Sequence, residues 1–274
     1  MANRQEAVLF GGSSASGQSL GDTWTWNAGC WTQRSPALSP APRDGATAAY
    51  DPLGGVVLLY GGRGGGQFLS DTWTWDGFTW KQLVSVGPPI MFGGPAAIFD
   101  PVSQRPLLFG MVSGGIAQTW TWDGSKWRQL NPSHSPDGRQ SPSLALDPSR
   151  NRLILFGGLS LSHALVDDTW TWNGTDWTRL SPAASPSPRF RAAMASWASK
   201  QTVILWGGVG TVGGLNDAWM WDGTNWRQIS SPGMRSDEAA VDAGSETLFF
   251  GGDGPGGYYN DLQTFDGTNW ASAA

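Results

Sequence analysis

Arginine recurs at a fixed place in this sequence, where it could bind an anion. Arg43, Arg139 and Arg189 each lie 18 residues before the first glycine of a Gly-Gly pair, and Arg235 lies 16 residues before one. Guanidinium groups bind carboxylate and phosphate groups in a two-pronged geometry. The same arginines could instead be structural and tie neighbouring repeats together through carbonyl and carboxylate oxygens. The sequence leaves both roles open.

Other side chains near these arginines predict a surface that is both apolar and cationic. Such a surface is typical of small-molecule sites and equally of surfaces that bind a protein partner. The predicted ligand-binding residues are Arg43, Arg63, Phe68, Phe92, Arg139, Arg189, Arg191, Arg235, Tyr258 and Tyr259. The candidates for acid–base catalysis are Glu238, Asp237, Tyr258 and Tyr259, because most other carboxylates recur with the repeat in turn positions.

A unit that occurs six times must position these residues. The string DTWTWDGFTW begins at Asp71, and related strings begin at positions 22, 118, 168, 217 and 261. A period near fifty with four short strands in each unit is typical of β-propeller blades. Asp-Gly and Asn-Gly pairs predict a tight hairpin between the third and fourth strands, and no stretch shows sustained helical periodicity. The sequence therefore predicts an all-β, six-bladed propeller.

The strand order predicts where the candidate residues lie in each blade. Small residues in the first strand, such as ATAA at 46–49, fit an inner strand near a crowded axis. Because successive strands are antiparallel, the start of the first strand and the loop after the Gly-Gly pair share one end of the blade. We expect the arginines and these loops to surround the mouth of a central channel. The tryptophans are expected in the core between blades.

The chain is predicted to be one propeller domain, residues 1–274. Only ten residues precede Gly11, and a unit needs about eighteen there to include its inner strand. The first blade is therefore expected to lack its innermost strand, unless the chain is a piece trimmed from a longer protein. The predicted blades 1 to 6 are residues 1–36, 42–84, 91–131, 138–181, 188–230 and 234–274.

A Gly-Gly pair that closes an apolar strand, followed by D-x-W-x-W-D-G and a further Trp, resembles the kelch repeat. The resemblance covers essentially the whole chain and implies a kelch-type β-propeller. It leaves the activity open, because kelch propellers include protein-binding modules, a copper oxidase, an iron-dependent specifier group and a sugar mutarotase.

The residues do not match the copper and iron sites of kelch-fold enzymes. The copper site of galactose oxidase needs two Tyr, two His and a Tyr–Cys cross-link, whereas His134 and His163 are the only histidines here and Cys30 lies in a hairpin turn. The iron motif E-x-x-x-D-x-x-x-H of nitrile-specifier proteins is approached by EAAVDAGSE at 238–246, which ends in Glu instead of His. We expect no metal and no cofactor.

Composition restricts the partners. The net charge is −5 and the isoelectric point is near 4.9, so no basic field attracts nucleic acid. No apolar run is long enough to span a membrane, and the first residues do not resemble a signal peptide, which favours a cytoplasmic location. We expect no membrane partner and a monomer. The first functional hypothesis is a recognition module that binds a small ligand or protein segment at the channel mouth. The alternative is a cofactor-independent enzyme, such as an isomerase, mutarotase or cyclase, acting there on an apolar or acidic metabolite.

Overall fold

A computed structural model describes residues 6–27, 29–84, 87–243 and 246–273. The chain divides into two compact units, Met1–Asn131 and Pro132–Ala274, and the division falls between the predicted third and fourth blades. Each unit contains three antiparallel blade sheets. The described part includes no helix long and apolar enough to cross a membrane.

In the first unit, blade 1 has three strands and blades 2 and 3 have four. The sheet orders are β1-β2-β3, β4-β5-β8-β9 and β10-β11-β12-β13, and β6 and β7 form a small hairpin after the Gly-Gly pair of blade 2. The strands are β1 (Ala7–Ser13), β2 (Ser19–Asn27), β3 (Cys30–Arg34), β4 (Thr47–Asp51), β5 (Val56–Tyr60), β6 (Arg63–Gly64), β7 (Gln67–Phe68), β8 (Thr72–Trp75), β9 (Trp80–Leu83), β10 (Phe92–Asp100), β11 (Arg105–Met111), β12 (Ala117–Trp122) and β13 (Trp127–Leu130). A short 3-10 turn occupies Ser113–Gly115.

In the second unit all three blades have four strands. The sheet orders are β15-β16-β18-β19, β20-β21-β24-β25 and β26-β27-β30-β31, with small pairs β14-β17, β22-β23 and β28-β29 at the loops. The strands are β14 (Arg139–Gln140), β15 (Ser143–Asp147), β16 (Arg152–Phe156), β17 (Leu159–Ser160), β18 (Thr169–Trp172), β19 (Trp177–Leu180), β20 (Ala193–Trp197), β21 (Thr202–Trp206), β22 (Val209–Gly210), β23 (Gly213–Gly214), β24 (Ala218–Trp221), β25 (Trp226–Ile229), β26 (Ala239–Asp242), β27 (Thr247–Phe250), β28 (Asp253–Gly254), β29 (Gly257–Tyr258), β30 (Leu262–Phe265) and β31 (Trp270–Ala273). A second 3-10 turn covers Ala198–Lys200.

The sheets confirm the six-bladed propeller class, and among the described residues the sheet of blade 1 has no innermost strand. In every other blade the first strand pairs with the second, the second with the third and the third with the fourth, as the hairpin signals predict. The glycines at the Gly-Gly corners adopt positive φ, which glycine accepts without steric cost; Gly61 and Gly62, for example, have φ of 68° and 93°.

The tryptophans form the core between blades, as predicted. Trp221 and Trp226 of blade 5 are 1% and 2% exposed and pack against Ile154 and Phe156 of blade 4. The Phe156 and Trp226 rings meet edge to face at 5.5 Å. Burial of an indole removes about 150–250 Å² from water, so this packing is a major source of stability.

The threonine of the D-T-W-T-W string has an unforeseen structural role. The indole Nε1 of Trp226 donates a hydrogen bond to Oγ1 of Thr169 in the preceding blade at 3.1 Å. Trp80 and Thr23 form the same bond at 2.9 Å, as do Trp127 and Thr72 at 3.1 Å. The repeated string therefore fastens successive blades to each other within each unit.

Candidate functional site

The four recurring arginines are buried, and each closes its own blade. The guanidinium of Arg43 donates two hydrogen bonds to the carboxylate of Asp71, at 2.6 and 2.9 Å, and one to the carbonyl oxygen of Gly61 at 2.9 Å. Arg43 precedes the first strand, Gly61 ends the second and Asp71 begins the third, so one side chain joins three strands. The equivalent pairs are Arg139–Asp168, Arg189–Asp217 and Arg235–Asp261.

The backbone of three of these arginines joins neighbouring blades. The carbonyl oxygen of Arg43 accepts a hydrogen bond at 2.9 Å from the N–H of Gly12, the second glycine of the preceding blade. The equivalent bonds run from Gly158 to Arg189 at 2.8 Å and from Gly208 to Arg235 at 2.7 Å. The structural hypothesis assigned this joining to the side chains. The contacts assign it to the main chain, because each guanidinium is already used within its own blade.

Arg189 shows how completely these guanidiniums are used. Its five N–H groups donate to Asp217 at 2.6 and 2.8 Å, to the Gly207 carbonyl at 3.0 Å and to the Ser187 carbonyl and hydroxyl at 3.0 Å. The side chain is fully buried. This geometry favours the structural role that the sequence left open for Arg43, Arg139, Arg189 and Arg235.

The ion pairs hold the aspartates ionised. Burial alone raises the pKa of Asp217, but hydrogen bonds from Arg189 and Trp219 and the charge of Arg189 outweigh burial and lower the pKa below its usual value. The pKa values of three further aspartates shift in the same direction, each beside its own arginine: Asp71, Asp168 and Asp261.

Blade 3 replaces the ion pair with neutral residues. Gln118 stands in the place of the aspartate, and its Oε1 accepts a hydrogen bond from Trp120 Nε1 at 2.9 Å. Phe92 stands at the arginine position, but it is the preceding Met91 that is buried. The Phe92 ring packs edge to face on Phe68 of blade 2, with centroids 5.2 Å apart. Without a charged pair to build, Phe92 contributes to the surface.

The first loop surface consists of Arg63, Phe68 and Phe92 in the first unit. Arg63 and Phe68 are directly paired across β6 and β7, and the backbone of Arg63 exchanges two hydrogen bonds with Asp44. Phe68 is 40% exposed, and in the described part of the chain the exposed guanidinium of Arg63 forms no ion pair. An open groove of about 620 Å³ lies along the same hairpin and is lined by Gly17, Gln18, Ser19, Ala41, Pro42, Gly64, Gly65, Gly66 and Leu69.

The second loop surface consists of Phe190, Arg191, Met234, Asp237 and Tyr258 in the second unit. Arg191 lies over the Phe190 ring at 5.1 Å and reaches Asp237 at 3.2 Å, with both charged side chains about half exposed. Met234 is 37% and Tyr258 50% exposed. This surface therefore combines apolar area with charges of both signs.

Three residues on this side of the second unit adopt a left-handed backbone. Ser141, Arg191 and Asp237, each two residues after the recurring arginine, have φ of 44°, 57° and 62°. Arg191 donates its N–H to the Ser141 carbonyl at 3.1 Å, and Asp237 donates to the Arg191 carbonyl at 3.0 Å. Glycine occupies the equivalent positions in blades 2 and 3, at Gly45 and Gly94. Blades 4 to 6 therefore have a residue with a side chain at a position where the backbone favours glycine, and the alignment of the repeats reveals this difference.

The two tyrosines separate into different roles. The Tyr259 ring covers the Arg235 guanidinium at 4.0 Å, and its hydroxyl accepts a hydrogen bond from Gly256 N–H at 3.3 Å. Tyr258 points to the surface. Cation–π contact therefore gives Tyr259 a structural role, whereas Tyr258 remains a candidate for contact with a ligand.

Glu238 is a buried acid that directly precedes β26. Its side chain lies beside Gly207 and Gly252, and among the described residues neither carboxyl oxygen has a hydrogen-bonding partner. Burial raises the pKa to about 8, and the charge of Arg235 offsets only part of that effect. Glu238 is thus protonated at neutral pH, which is the protonation state that a general acid requires.

The residues considered for metal binding have different surroundings. His134 pairs with Asp176 at 2.8 Å, His163 lies in a tight turn, and Cys30 is exposed. In the ranges that the structure describes, no three His, Cys, Asp or Glu side chains form a group that could hold a metal ion.

The structure brings some predicted residues together and separates others. Arg63, Phe68 and Phe92 meet in the first unit, and Arg191 meets Asp237 in the second. Sequence reasoning missed the groove beside β6 and β7, although the consecutive glycines at 64–66 signalled a place where backbone is accessible.

The fold and the conserved geometry of each repeat define a kelch-type propeller. A family model, the KLHDC2/KLHL20/DRC7 Kelch-repeats domain, matches residues 116–270, more than half of the chain. The chain belongs to the kelch-repeat family. A search of curated proteins finds no match. Kelch propellers commonly serve as modules that bind proteins or other ligands.

Proposed function

We propose that this protein is a recognition module that binds a small ligand or a protein segment through its loop surfaces. The observation that carries the proposal is the change of role at Phe92. Where blades 2, 4, 5 and 6 bury an arginine in an ion pair, blade 3 places an aromatic ring on Phe68, next to the cation of Arg63. Aromatic residues and arginine are the side chains that contribute most to binding surfaces.

The chemistry of the first loop surface favours a partner with an apolar part and an anionic part. Phe68 and Phe92 offer apolar area, and Arg63 offers a guanidinium that is not already paired in the described residues. The adjoining groove is lined by three consecutive glycines and Pro42, so an extended segment can approach the backbone closely. An acidic group beside an aromatic or aliphatic side chain fits this arrangement.

The proposal is tested by native mass spectrometry of protein purified from its own host. We expect a retained small molecule or polypeptide on the wild-type protein and its loss from the double variant Phe68→Ala with Phe92→Ala. Phe78→Ala is the matched control, because Phe78 is 71% exposed and lies in the hairpin turn between β8 and β9 of the same blade. No added mass, or a mass that stays with the double variant, contradicts the proposal.

A second candidate function rests on Glu238. A neutral buried carboxylic acid is suited to donate a proton, which supports the hypothesis of a cofactor-independent isomerase, mutarotase or cyclase. Its test is a product assay on any metabolite that the native spectra identify. Glu238→Gln should abolish turnover while the metabolite still binds, and unchanged turnover would remove this candidate.

A further inference from the structure

The hairpin after the Gly-Gly pair of blade 6 carries an anion beside an aromatic ring. Asp253 and Tyr258 are directly paired across β28 and β29, and both side chains are exposed. Among the described residues no cation forms an ion pair with Asp253, and no ring or cation stacks on Tyr258. The pair therefore presents a negative charge and an aromatic face that are both open to solvent.

This hairpin has the construction of the blade 2 hairpin with the opposite charge. In blade 2 the residues paired across β6 and β7 are Arg63 and Phe68. The backbones of Asp44 and Arg63 exchange two hydrogen bonds, at 2.9 and 2.7 Å. Ser236 and Asp253 exchange the same two bonds in blade 6, at 2.9 and 2.8 Å. One backbone arrangement thus presents a cation beside a ring in blade 2 and an anion beside a ring in blade 6.

The interior of blade 6 shows which cation suits a carboxylate and a tyrosine together. The guanidinium of Arg235 donates two hydrogen bonds to the Asp261 carboxylate, at 2.5 and 2.7 Å, and lies 4.0 Å from the centre of the Tyr259 ring. Guanidinium is planar, so it can bind a carboxylate through two parallel hydrogen bonds and also stack on an aromatic face. Asp253 and Tyr258 offer the same two groups at the surface.

Apolar area and accessible backbone adjoin the pair. Met234 is 37% exposed, and its carbonyl lies against Gly254, the residue that follows Asp253. A side chain at Gly257 would meet no atom within 4 Å, so the main chain there is open to an approaching segment. An extended polypeptide can therefore lie over the hairpin and place an apolar side chain on Met234.

The neighbouring charges favour a cation over an anion. Arg191 already pairs with Asp237 at 3.2 Å, which leaves Asp253 as the charge in excess. Glu238 lies below the hairpin, with its side chain against Gly252, the residue before Asp253. It is only 9% exposed, and within the described ranges neither carboxyl oxygen has a hydrogen-bond partner. Because a nearby cation stabilises a carboxylate, Glu238 adds to the preference that Asp253 sets.

We propose that Asp253 and Tyr258 bind an arginine in an extended segment of a partner protein, and that an apolar residue beside this arginine packs on Met234. The guanidinium binds the Asp253 carboxylate and stacks on the Tyr258 ring. This assignment rests on the proposed function, in which the loop surfaces recognise a partner. It gives the blade 6 hairpin a partner group opposite in charge to the one that Arg63 favours, and such complementarity supplies specificity.

Peptide titration followed by amide NMR spectra tests the site. The probe is acetyl-Gly-Leu-Arg-Leu-Gly-amide, and its counterpart has citrulline in place of arginine, which keeps the shape of the side chain and removes its charge. We expect saturable shifts of the β28 and β29 amides with the arginine peptide. The citrulline peptide should bind about tenfold more weakly, because it loses a surface ion pair and a cation–π contact. No saturation below about 5 mM arginine peptide overturns the proposal.

Protein variants separate this contact from general attraction. Asp253→Asn combined with Tyr258→Leu should weaken the arginine peptide about tenfold, to the level of the citrulline peptide. Asp266→Asn is the matched control, because it removes an exposed carboxylate from the turn between β30 and β31 of the same blade and should leave the affinity unchanged. Asn173 accepts the equivalent turn hydrogen bond in blade 4, so this control keeps the turn. Equal affinity of the two peptides, or equal losses in the double variant and the control, overturns the proposal.

Two further outcomes identify other situations. A dimer that dissociates in Asp253→Asn would mean that Arg63 of a second copy fills the site, and it would overturn the assignment to a partner protein. Failure of the peptide titrations leaves the ligand proposed for Phe68 and Phe92 untouched, because native mass spectrometry tests that ligand through residues of the first unit alone.

Discussion

Arg189 and Asp217 are 28 positions apart in the sequence, yet two parallel hydrogen bonds of 2.6 and 2.8 Å join them inside blade 5. The pair stands where the start of the inner strand meets the start of the third strand. Three other blades repeat it, and it explains why the Asp of the D-x-W-x-W string recurs. Its carboxylate accepts a hydrogen bond from the indole two residues later and also forms the ion pair with the arginine before the inner strand.

Removing Arg189 should destabilise the protein strongly. In Arg189→Ala the Asp217 carboxylate and the Gly207 carbonyl lose their donor inside the blade, which should lower the free energy of unfolding by about 2–4 kcal/mol. Arg63→Ala is the control, because the Arg63 side chain is exposed, and it should change stability by less than about 0.5 kcal/mol. Equal losses in urea denaturation of the two variants would contradict the assigned roles.

Blade 3 supplies a neutral substitute for the ion pair. A neutral pair in blade 5, Arg189→Met with Asp217→Gln, leaves no unpaired charge, whereas each single change does. The double variant should therefore lose less free energy of unfolding than the two single variants lose together, and the difference should be about 1–3 kcal/mol. Arg189→Met combined with Asp71→Gln pairs residues of different blades and should give additive losses. Additivity in both combinations would exclude the coupling.

The fold was predictable because the recurring string marks the same strands in each of the six blades. Six copies of one string, with Asp-Gly turns and small inner-strand residues, specify strand number and order without any long-range information. The partner of each recurring arginine was not predictable, because Arg43 and Asp71 are 28 residues apart and both carbonyl and carboxylate acceptors were compatible with the spacing.

The loop surfaces were predictable only in part. Phe92 stood out because it breaks the repeat, and in the structure its ring contacts Phe68. Glu238 was singled out as an acid outside the repeat, but its burial depends on how Gly207 and Gly252 pack around it, which spacing does not reveal.

The bond between successive blades through tryptophan and threonine should contribute measurably. Thr169→Val removes the acceptor for Trp226 Nε1 while preserving side-chain shape, which leaves a buried indole N–H without a partner. We expect a loss of about 1–3 kcal/mol in thermal or denaturant unfolding. Thr178→Val, on an exposed position of β19, should have little effect. An equal effect of the two changes would argue against the interblade bond.

The left-handed backbone at Arg191 should reverse the usual ranking of alanine and glycine. At φ 57° a side chain carries a steric penalty that glycine lacks, so Arg191→Gly should be more stable than Arg191→Ala by about 1 kcal/mol. At Ala195, inside β20, the same exchange to glycine should lower stability. Chemical denaturation measures both differences, and a more stable Arg191→Ala would show that the strain is absent.

Glu238 should make stability fall as the pH rises. The folded pKa of about 8 lies above the ordinary value of 4.5, so the folded state binds the proton more tightly between these limits. By linkage, the free energy of unfolding declines from pH 4.5 to pH 8 and levels off above pH 8. The decline from this group alone amounts to up to about 4–5 kcal/mol.

Glu238→Gln removes that contribution, so its stability relative to the wild type should increase steadily from pH 5 to pH 8. Asp253→Asn is the matched control, because it removes an exposed carboxylate of the same blade. A constant difference between Glu238→Gln and the wild type would mean that Glu238 is not buried as a neutral acid.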